Sequence, residues 1–479
     1  MTTSKPITES ARWGIPLEEV EQSAQRLNDF LEKYHDSFRT KTHDKSEYAD
    51  RYVSGLLRIE TKRNMANIAR KTGMDTQNTQ HFMSNSPWSS PGLIADVQDD
   101  IKEHTEFQTG AMLVVDESAE QKAGEYSAGA GRQHNGRLGK IEMSQVGVFA
   151  ALVTPRVNTW IDGELFFPAC WFEEDYADKR QKVGFPQGRT FKTKPELVWE
   201  IVQRLQAKGI PFDAIAMDDL YGRNTQLRKR LDGAGIEYYG DIPENTGMYL
   251  DKPQIVYPIT KRGKPSKHYQ VVAKHRYTAS ELLNHPDLEW AEITLRPNER
   301  GQLRARFGRC RVWLVHQGER RQEWLLIRQD QKQITYVLSN ASPTTSLETM
   351  AWRKSHRYFV ERSNQDEKGE LGWDEFQAIK YLAWEHQLAL TILASWFIAV
   401  TRLDWMKRFE CDPALLEQYE IDVLPLLSVS NVRELLRAAI PLPQLSIEEA
   451  ATLVIEHLTN RTLSRKSRLR KRQEKSTET

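Results

Sequence analysis

The chain has 479 residues, 39% of them hydrophobic and 28% charged, with 67 lysines and arginines against 66 aspartates and glutamates. This composition excludes a disordered or fibrous chain and predicts a globular protein of more than one domain. With a net charge of +1, any polyanion contact must come from local basic surfaces and not from a basic average. Cys170, Cys310 and Cys411 stand far apart with no CxxC pairing, which argues against a zinc site or a disulfide framework and fits a reducing, cytoplasmic setting.

The opening MTTSKPITES has no apolar core, so no signal peptide is expected. Residues 16–108 carry apolar positions at helical spacing. Within them, NMANIARKTGMDTQNTQHFM predicts a helix ending near Lys71, a turn at Gly73 and a second helix from about Asp75. That pattern fits a helix-turn-helix and equally a plain helical hairpin. Over residues 110–250 the character changes. GAMLVVDES, KIEMSQVGVFAALVT and NTWIDGELFFPACWF read as three strands, with the glycine-rich QKAGEYSAGAGRQHNGRLG as a polar connection. Helices and strands then alternate (PELVWEIVQRLQAKG, FDAIAMDD, NTQLRKRLDGAG, IEYYGDIP). The fold class is therefore α/β, a mixed sheet with helices on its faces. Residues 251–345 are strand-rich, and from Ser346 to about Leu458 the chain reads as helical. The apolar run LALTILASWFIAV (388–400) is shorter than the roughly 20 residues a bilayer needs and is expected to be a buried helix, with no membrane contact.

Asp116 closes one apolar run and Asp218 another. If those strands are neighbours, two carboxylates project at one sheet end and repel each other unless a cation lies between them. Hard oxygen ligands suit Mg²⁺ or Mn²⁺, although each acid alone also reads as a turn former or helix cap. Further on, Arg357, Glu361 and Lys368 fall near one face of a helix. They read either as a surface salt-bridge ladder or as a metal ligand bracketed by phosphate-binding cations.

Together these motifs give the chain a resemblance to the insertion-sequence transposases of the DDE superfamily. The match is nearest to the branch with a Y-(2)-R-(3)-E-(6)-K signature, the insertion sequence 701 and insertion sequence 4 groups. Here the signature reads Lys354, Arg357, Glu361 and Lys368, with lysine in place of the tyrosine. The likeness also rests on Val115-Asp116-Glu117-Ser118, SAGAGRQHNGRLG (127–139), residues 168–175, Phe191-Lys-Thr-Lys194, the run 218–224, residues 368–372 and Pro87-Trp88. It implies an RNase H-like core at 109–250 and 346–405, interrupted by a β-rich insertion at 251–345. A helical DNA-binding region would occupy 1–108, and a helical region with a basic tail 406–479. It further implies a catalytic triad of Asp116, Asp218 and Glu361 holding two Mg²⁺ or Mn²⁺ ions, with Glu367 or Glu370 as the neighbours to test should Glu361 fail. The implied partners are terminal inverted repeats and target DNA, met as a dimer in the synapse. Lys354, Arg357 and Lys368 would meet phosphates.

Arg304, Arg306, Arg309 and Arg311 add a basic strip if a bulge at Phe307-Gly308 turns all four to one face. A charged edge strand is the other reading. Trp313 and Trp324 fit core packing better than base stacking. The run from Arg465 to Lys475 suits non-specific DNA attraction. His134, His356 and His386 show no ligand spacing. Two other functions stay open: a catalytically silent DNA-binding descendant, and an RNase H-like nuclease without strand transfer.

Overall fold

The computed structural model describes residues 17–408, apart from 123, 137–138, 260–263, 265, 299–300, 331–332 and 357–364, together with 12, 412–414, 427–442, 448 and scattered positions beyond. The N-terminal region is helical, as its periodicity predicts: α1 (Leu17–Glu21), α2 (Ser23–Glu32), α3 (Ser46–Arg58), α4 (Met65–Thr72), α5 (Thr76–Ser84) and α6 (Ser90–Glu103). In α3 the buried positions are Ala49, Tyr52, Val53, Leu56 and Leu57, the stripe of an amphipathic helix. Asn64 and Asp75 cap α4 and α5, each side chain accepting from the backbone N–H three residues on. Between the two helices Gly73 adopts φ 72°, a left-handed conformation that costs a residue with a Cβ about 1–2 kcal/mol. Helix, turn and helix thus lie where the sequence puts them.

The sheet begins with β1 (Met112–Gln121), β2 (Gly131–Asn135), β3 (Lys140–Val153) and β4 (Asn158–Phe166). Helices α7 (Ala177–Val183) and α8 (Lys194–Lys208) follow, then β5 (Ala214–Met217), α9 (Asp219–Gly222), α10 (Thr225–Gly233) and β6 (Glu237–Ile242). β4, β3, β1, β5 and β6 lie side by side in that order. β1, β5 and β6 run parallel while β3 runs antiparallel to β1 and β4, which is the RNase H-like arrangement. Two expectations need correcting. The glycine-rich connection contains a strand, β2, which pairs with the first turn-ward residues of β3, Gly131 opposite Ser144 and Asn135 opposite Lys140. And Asp116 does not end β1: antiparallel pairing with β3 carries the strand five residues further, to Gln121.

The residues after β6 form two small pairs, β7 (Gly247–Met248) with β10 (Tyr277–Thr278) and β8 (Gln254–Val256) with β9 (Gln270–Val272). Four long strands come next: β11 (Glu289–Asn298), β12 (Gly301–His316), β13 (Glu319–Gln329) and β14 (Ile334–Ser339). β14 pairs antiparallel with β6, Tyr336 opposite Ile242 and Ser339 opposite Tyr239. The inserted strands therefore extend the core sheet, which has ten strands among the described residues. A buried ion pair, Arg228 on α10 with Glu323 on β13, reinforces that join.

Helix α11 (Leu347–Ser355) leads toward the second half of the signature, and α12 (Tyr381–Arg408) and α13 (Val429–Ala439) follow. By length and composition α12 alone among the described helices could cross a membrane, yet 89% of its apolar window is buried inside the fold. It is the core helix expected from the sequence, packing on β4 and against α3, α5 and α6. The guanidinium of Arg63, just after α3, is 3% exposed. It donates to the carbonyls of Gly369 and Glu370, both at 2.7 Å, and pairs with Glu375 at 3.0 Å. Arg433 of α13 pairs with Glu370 and donates to the carbonyls of Leu57 and Ile59. Two arginines from opposite ends of the chain thus hold the turn that follows Lys368.

Candidate active site

The strand register brings the two aspartates together. Parallel pairing of β1 with β5 ends at Val115 opposite Met217, and β5 with β6 at Met217 opposite Gly240. The next residue on each strand is an aspartate: Asp116, Asp218 and Asp241. Three carboxylates therefore stand in a row where the two parallel pairings of these three strands end. The third was missed in the sequence, although YG-Asp241 repeats the pattern of VV-Asp116 and AM-Asp218 and could have pointed to it.

Each carboxylate has a local reason for its place. Asp116 accepts from the backbone N–H of Glu117 at 2.8 Å. Asp218 is the N-cap of α9, accepting from the N–H of Tyr221 at 3.2 Å. Asp241 forms a buried ion pair with Lys354 of α11. Helix α9 packs tightly because Gly222, its last residue, lies against β6; a Cβ there would come within 2.1 Å of the Asp241 carbonyl oxygen. Only glycine permits that approach, so Asp218 and Asp241 are held on abutting backbones.

Tyr221 is fully buried and its hydroxyl has no hydrogen-bond partner among the described residues. Burial, then the charges of Glu117, Asp116 and Asp218, push the phenol well above its ordinary range. Glu117, Asp116 and Asp218 thus all act on the same ring. Glu117 is met by Lys194 at 2.6 Å, the first residue of α8. Further along β1, Asp116, Ser118 and Glu120 share one face. Glu120 pairs with Lys368 at 3.1 Å, so Lys368, in the helical stretch 365–369, is placed beside the strand that carries Asp116.

Arg357 and Glu361 lie outside the described residues. Among the described residues no group of three or more histidine, cysteine or acidic side chains converges as a metal cage. Adjacent, oxygen-only donors at Asp116 and Asp218 nevertheless suit a hard divalent cation, which would relieve their mutual repulsion. Of the two neighbouring glutamates, Glu367 accepts from Ser395 of α12 at 2.5 Å and is buried, its carboxyl raised well above the ordinary range by that burial. Glu370 is engaged by Arg433.

The arginines of β12 do not form one strip. Pairing of β12 with β13 is unbroken from Arg306 to His316, and the irregularity with β11 falls between Thr294 and Arg296. With no bulge at Phe307-Gly308, Arg304 and Arg306 project from one face and Arg309 and Arg311 from the other. Arg304 and Arg306 are exposed, Arg306 lying 4.4 Å from the Trp290 ring centre. Arg309 and Arg311 flank Trp324 at 4.7 and 4.9 Å. Trp324 is itself buried and donates to the Ala341 carbonyl, a packing role. Trp313 bridges Tyr249. His386 and His356 are buried on backbone carbonyls and His134 is exposed. Arg465–Lys475 is described only at scattered positions.

Comparison with known proteins agrees with this geometry. The chain is 23% identical over 328 residues to a protein of Microchaete diplosiphon described as a "probable transposase for insertion sequence element IS701", covering 67% of this chain and 73% of that one. The profile of the DDE superfamily endonucleases matches residues 33–302, more than half of the chain and inclusive of Asp116 and Asp218. With the RNase H-like sheet and its two aligned aspartates, this match makes the chain a member of the DDE superfamily of endonucleases.

Proposed function

We propose that this protein is the transposase of an insertion sequence. It binds the terminal inverted repeats of its element, cleaves there and joins the freed 3′-OH to target DNA. The observation that carries the reading is the register that sets Asp116 beside Asp218 at the ends of β1 and β5 pairing, on a chain similar to a described insertion-sequence transposase. Asp116, Asp218 and Glu361 would hold two Mg²⁺ or Mn²⁺ ions. Held there, they would supply activation of the attacking oxygen and charge stabilisation of the leaving one.

The chain's own residues prepare that chemistry. Packing of α9 on β6 fixes the Asp218 carboxylate, and the Lys194–Glu117 pair keeps the neighbouring acid from adding its charge to the pair. Arg357 and Lys368 are proposed for phosphates beside the cut, with Lys368 drawn toward β1 by Glu120. Of the four arginines on β12, Arg304 and Arg306 are the exposed pair and are proposed to be open to DNA. Lys354 is buried on Asp241, which supports a positioning role at the signature's tyrosine place in preference to a phosphate contact. The work is divided among a helical region before residue 109, the core at 109–250 and 346–405, the insertion at 251–345 and the C-terminal region. Two copies act together in the synapse, in the cytoplasm.

The test is cleavage of a labelled duplex carrying the element's own end, with Mg²⁺ or Mn²⁺. Metal-dependent 3′-OH formation lost in Asp116→Ala, Asp218→Ala and Glu361→Ala supports the triad. Binding of the end without cutting under either metal points to a silent DNA-binding descendant. Cutting without joining to a target duplex points to a nuclease alone.

A further inference from the structure

Helix α5 is built as a reading head. Its buried positions, Thr79, Phe82 and Met83, leave a solvent face centred on Gln77 and His81 and flanked by Asn78 and Gln80, all exposed. No carboxylate lies on that face; the acid at the helix start, Asp75, is spent as the cap. The side chains of Gln77, Asn78 and Gln80 make no hydrogen bond to any described residue. An exposed row of three amides, each carrying a donor and an acceptor, matches the adenine edge in the major groove, where N6 donates and N7 accepts.

The surroundings favour a polyanion. Lys45 lies over Tyr48, whose ring stacks on Phe82, and Lys380 meets Asn85 just past the helix, while Arg51, which donates to the Gly73 carbonyl in the turn before α5, is balanced by Glu47 at 2.6 Å. Arg70 and Lys71 close the preceding helix and are exposed. The back of α5 is fixed to the core. His386 of α12 stacks on Trp88 at 3.8 Å and reaches the carbonyls of Met83 and Trp88. A helix that reads bases is then held at a fixed offset from the core that carries Asp116 and Asp218.

We infer that α5 enters the major groove of duplex DNA and recognises adenine in the element's end through Gln77, Asn78 and Gln80. This rests on the reading of the chain as a protein that binds its own ends. The test uses the full chain, a duplex from the element's end, a scrambled duplex of the same composition, and the double variant Gln77→Ala/Gln80→Ala. The variant should lose at least about tenfold of its preference for the end, while its affinity for the scrambled duplex and the salt dependence of that affinity stay as in wild type. In wild type, replacing single adenines by 7-deazaadenine, which removes N7, should weaken binding several-fold at one to three positions. A variant that keeps the full preference, with no adenine sensitive to the replacement, overturns the inference and leaves end binding standing. A variant altered in self-association but not in DNA binding also overturns it, in favour of a second copy on this face. A wild type that binds both duplexes alike removes the end-binding reading and this inference together.

Discussion

Lys354 and Asp241 form a buried ion pair at the end of the strand next to the one that leads to Asp218. The pair links α11 to the sheet three residues before Arg357 and seven before Glu361. Burying two charges is repaid only while both are present. Lys354→Met alone or Asp241→Asn alone should each cost about 3–5 kcal/mol, and the double variant should recover most of it. Urea unfolding of the three variants checks this. Additive losses in the double variant would mean that the two side chains do not act as a pair.

Asp218 has two duties that substitution can separate. As a cap it accepts from Tyr221 N–H; as a charge it is proposed to hold a cation. Asp218→Asn keeps an accepting oxygen, so stability should change by less than about 0.5 kcal/mol while cleavage is lost. Asp218→Ala should lose cleavage and also about 1 kcal/mol of stability. Thermal unfolding and end cleavage on the same preparations distinguish the two. An active Asp218→Asn protein would remove Asp218 from the metal site.

The Tyr221 hydroxyl is buried among carboxylates without a hydrogen-bond partner in the described structure. A buried, unsatisfied hydroxyl costs about 1–3 kcal/mol. Tyr221→Phe should therefore fold at least as stably as wild type, by up to about 1 kcal/mol. Gly222→Ala, one residue on, should be far worse, a loss of more than about 3 kcal/mol, because the new Cβ meets backbone at 2.1 Å. Chemical denaturation of both gives opposite signs if the packing is as described.

His386 is buried, and that burial pulls its imidazole down to about 4. The unfolded chain takes up this proton near pH 6.5, so between pH 6.5 and 4 the unfolded state holds a proton that the folded state lacks. The stability contributed is complete above pH 6.5 and lost as the pH falls toward 4, about 3 kcal/mol in all. Unfolding at pH 7.5 and pH 5 should show a smaller acid loss in His386→Gln than in wild type. An equal loss in both would place the sensitivity elsewhere.

Much of this was legible because apolar patterning reports burial. VV-Asp116 and AM-Asp218 gave the two strands and their acids, 388–400 gave the core helix, and Gly73 with Asp75 gave the turn before α5. What stayed hidden depends on partners distant in sequence. Whether β1 stops at Asp116 or runs on to Gln121 is decided by β3. A glycine-rich stretch became β2 because the start of β3 offered it a partner. The phase of the β12 arginines needed the unbroken pairing with β13. Lys354, expected at a phosphate, lies against Asp241, 113 residues earlier, a partner that no local pattern reveals. Local chemistry names the candidate acids; only the register says which of them are neighbours.

The join between β6 and β14 has a practical consequence. A truncated protein lacking 251–345 would keep every proposed catalytic acid, yet it would leave β6 with a row of unsatisfied backbone donors and acceptors. Uncovered strand edges recruit other chains. Such a minimal nuclease should precipitate or form aggregates through that edge unless a replacement strand is grafted in, whereas trimming only the β8–β9 pair, which stands outside the large sheet, should leave the protein dispersed in solution.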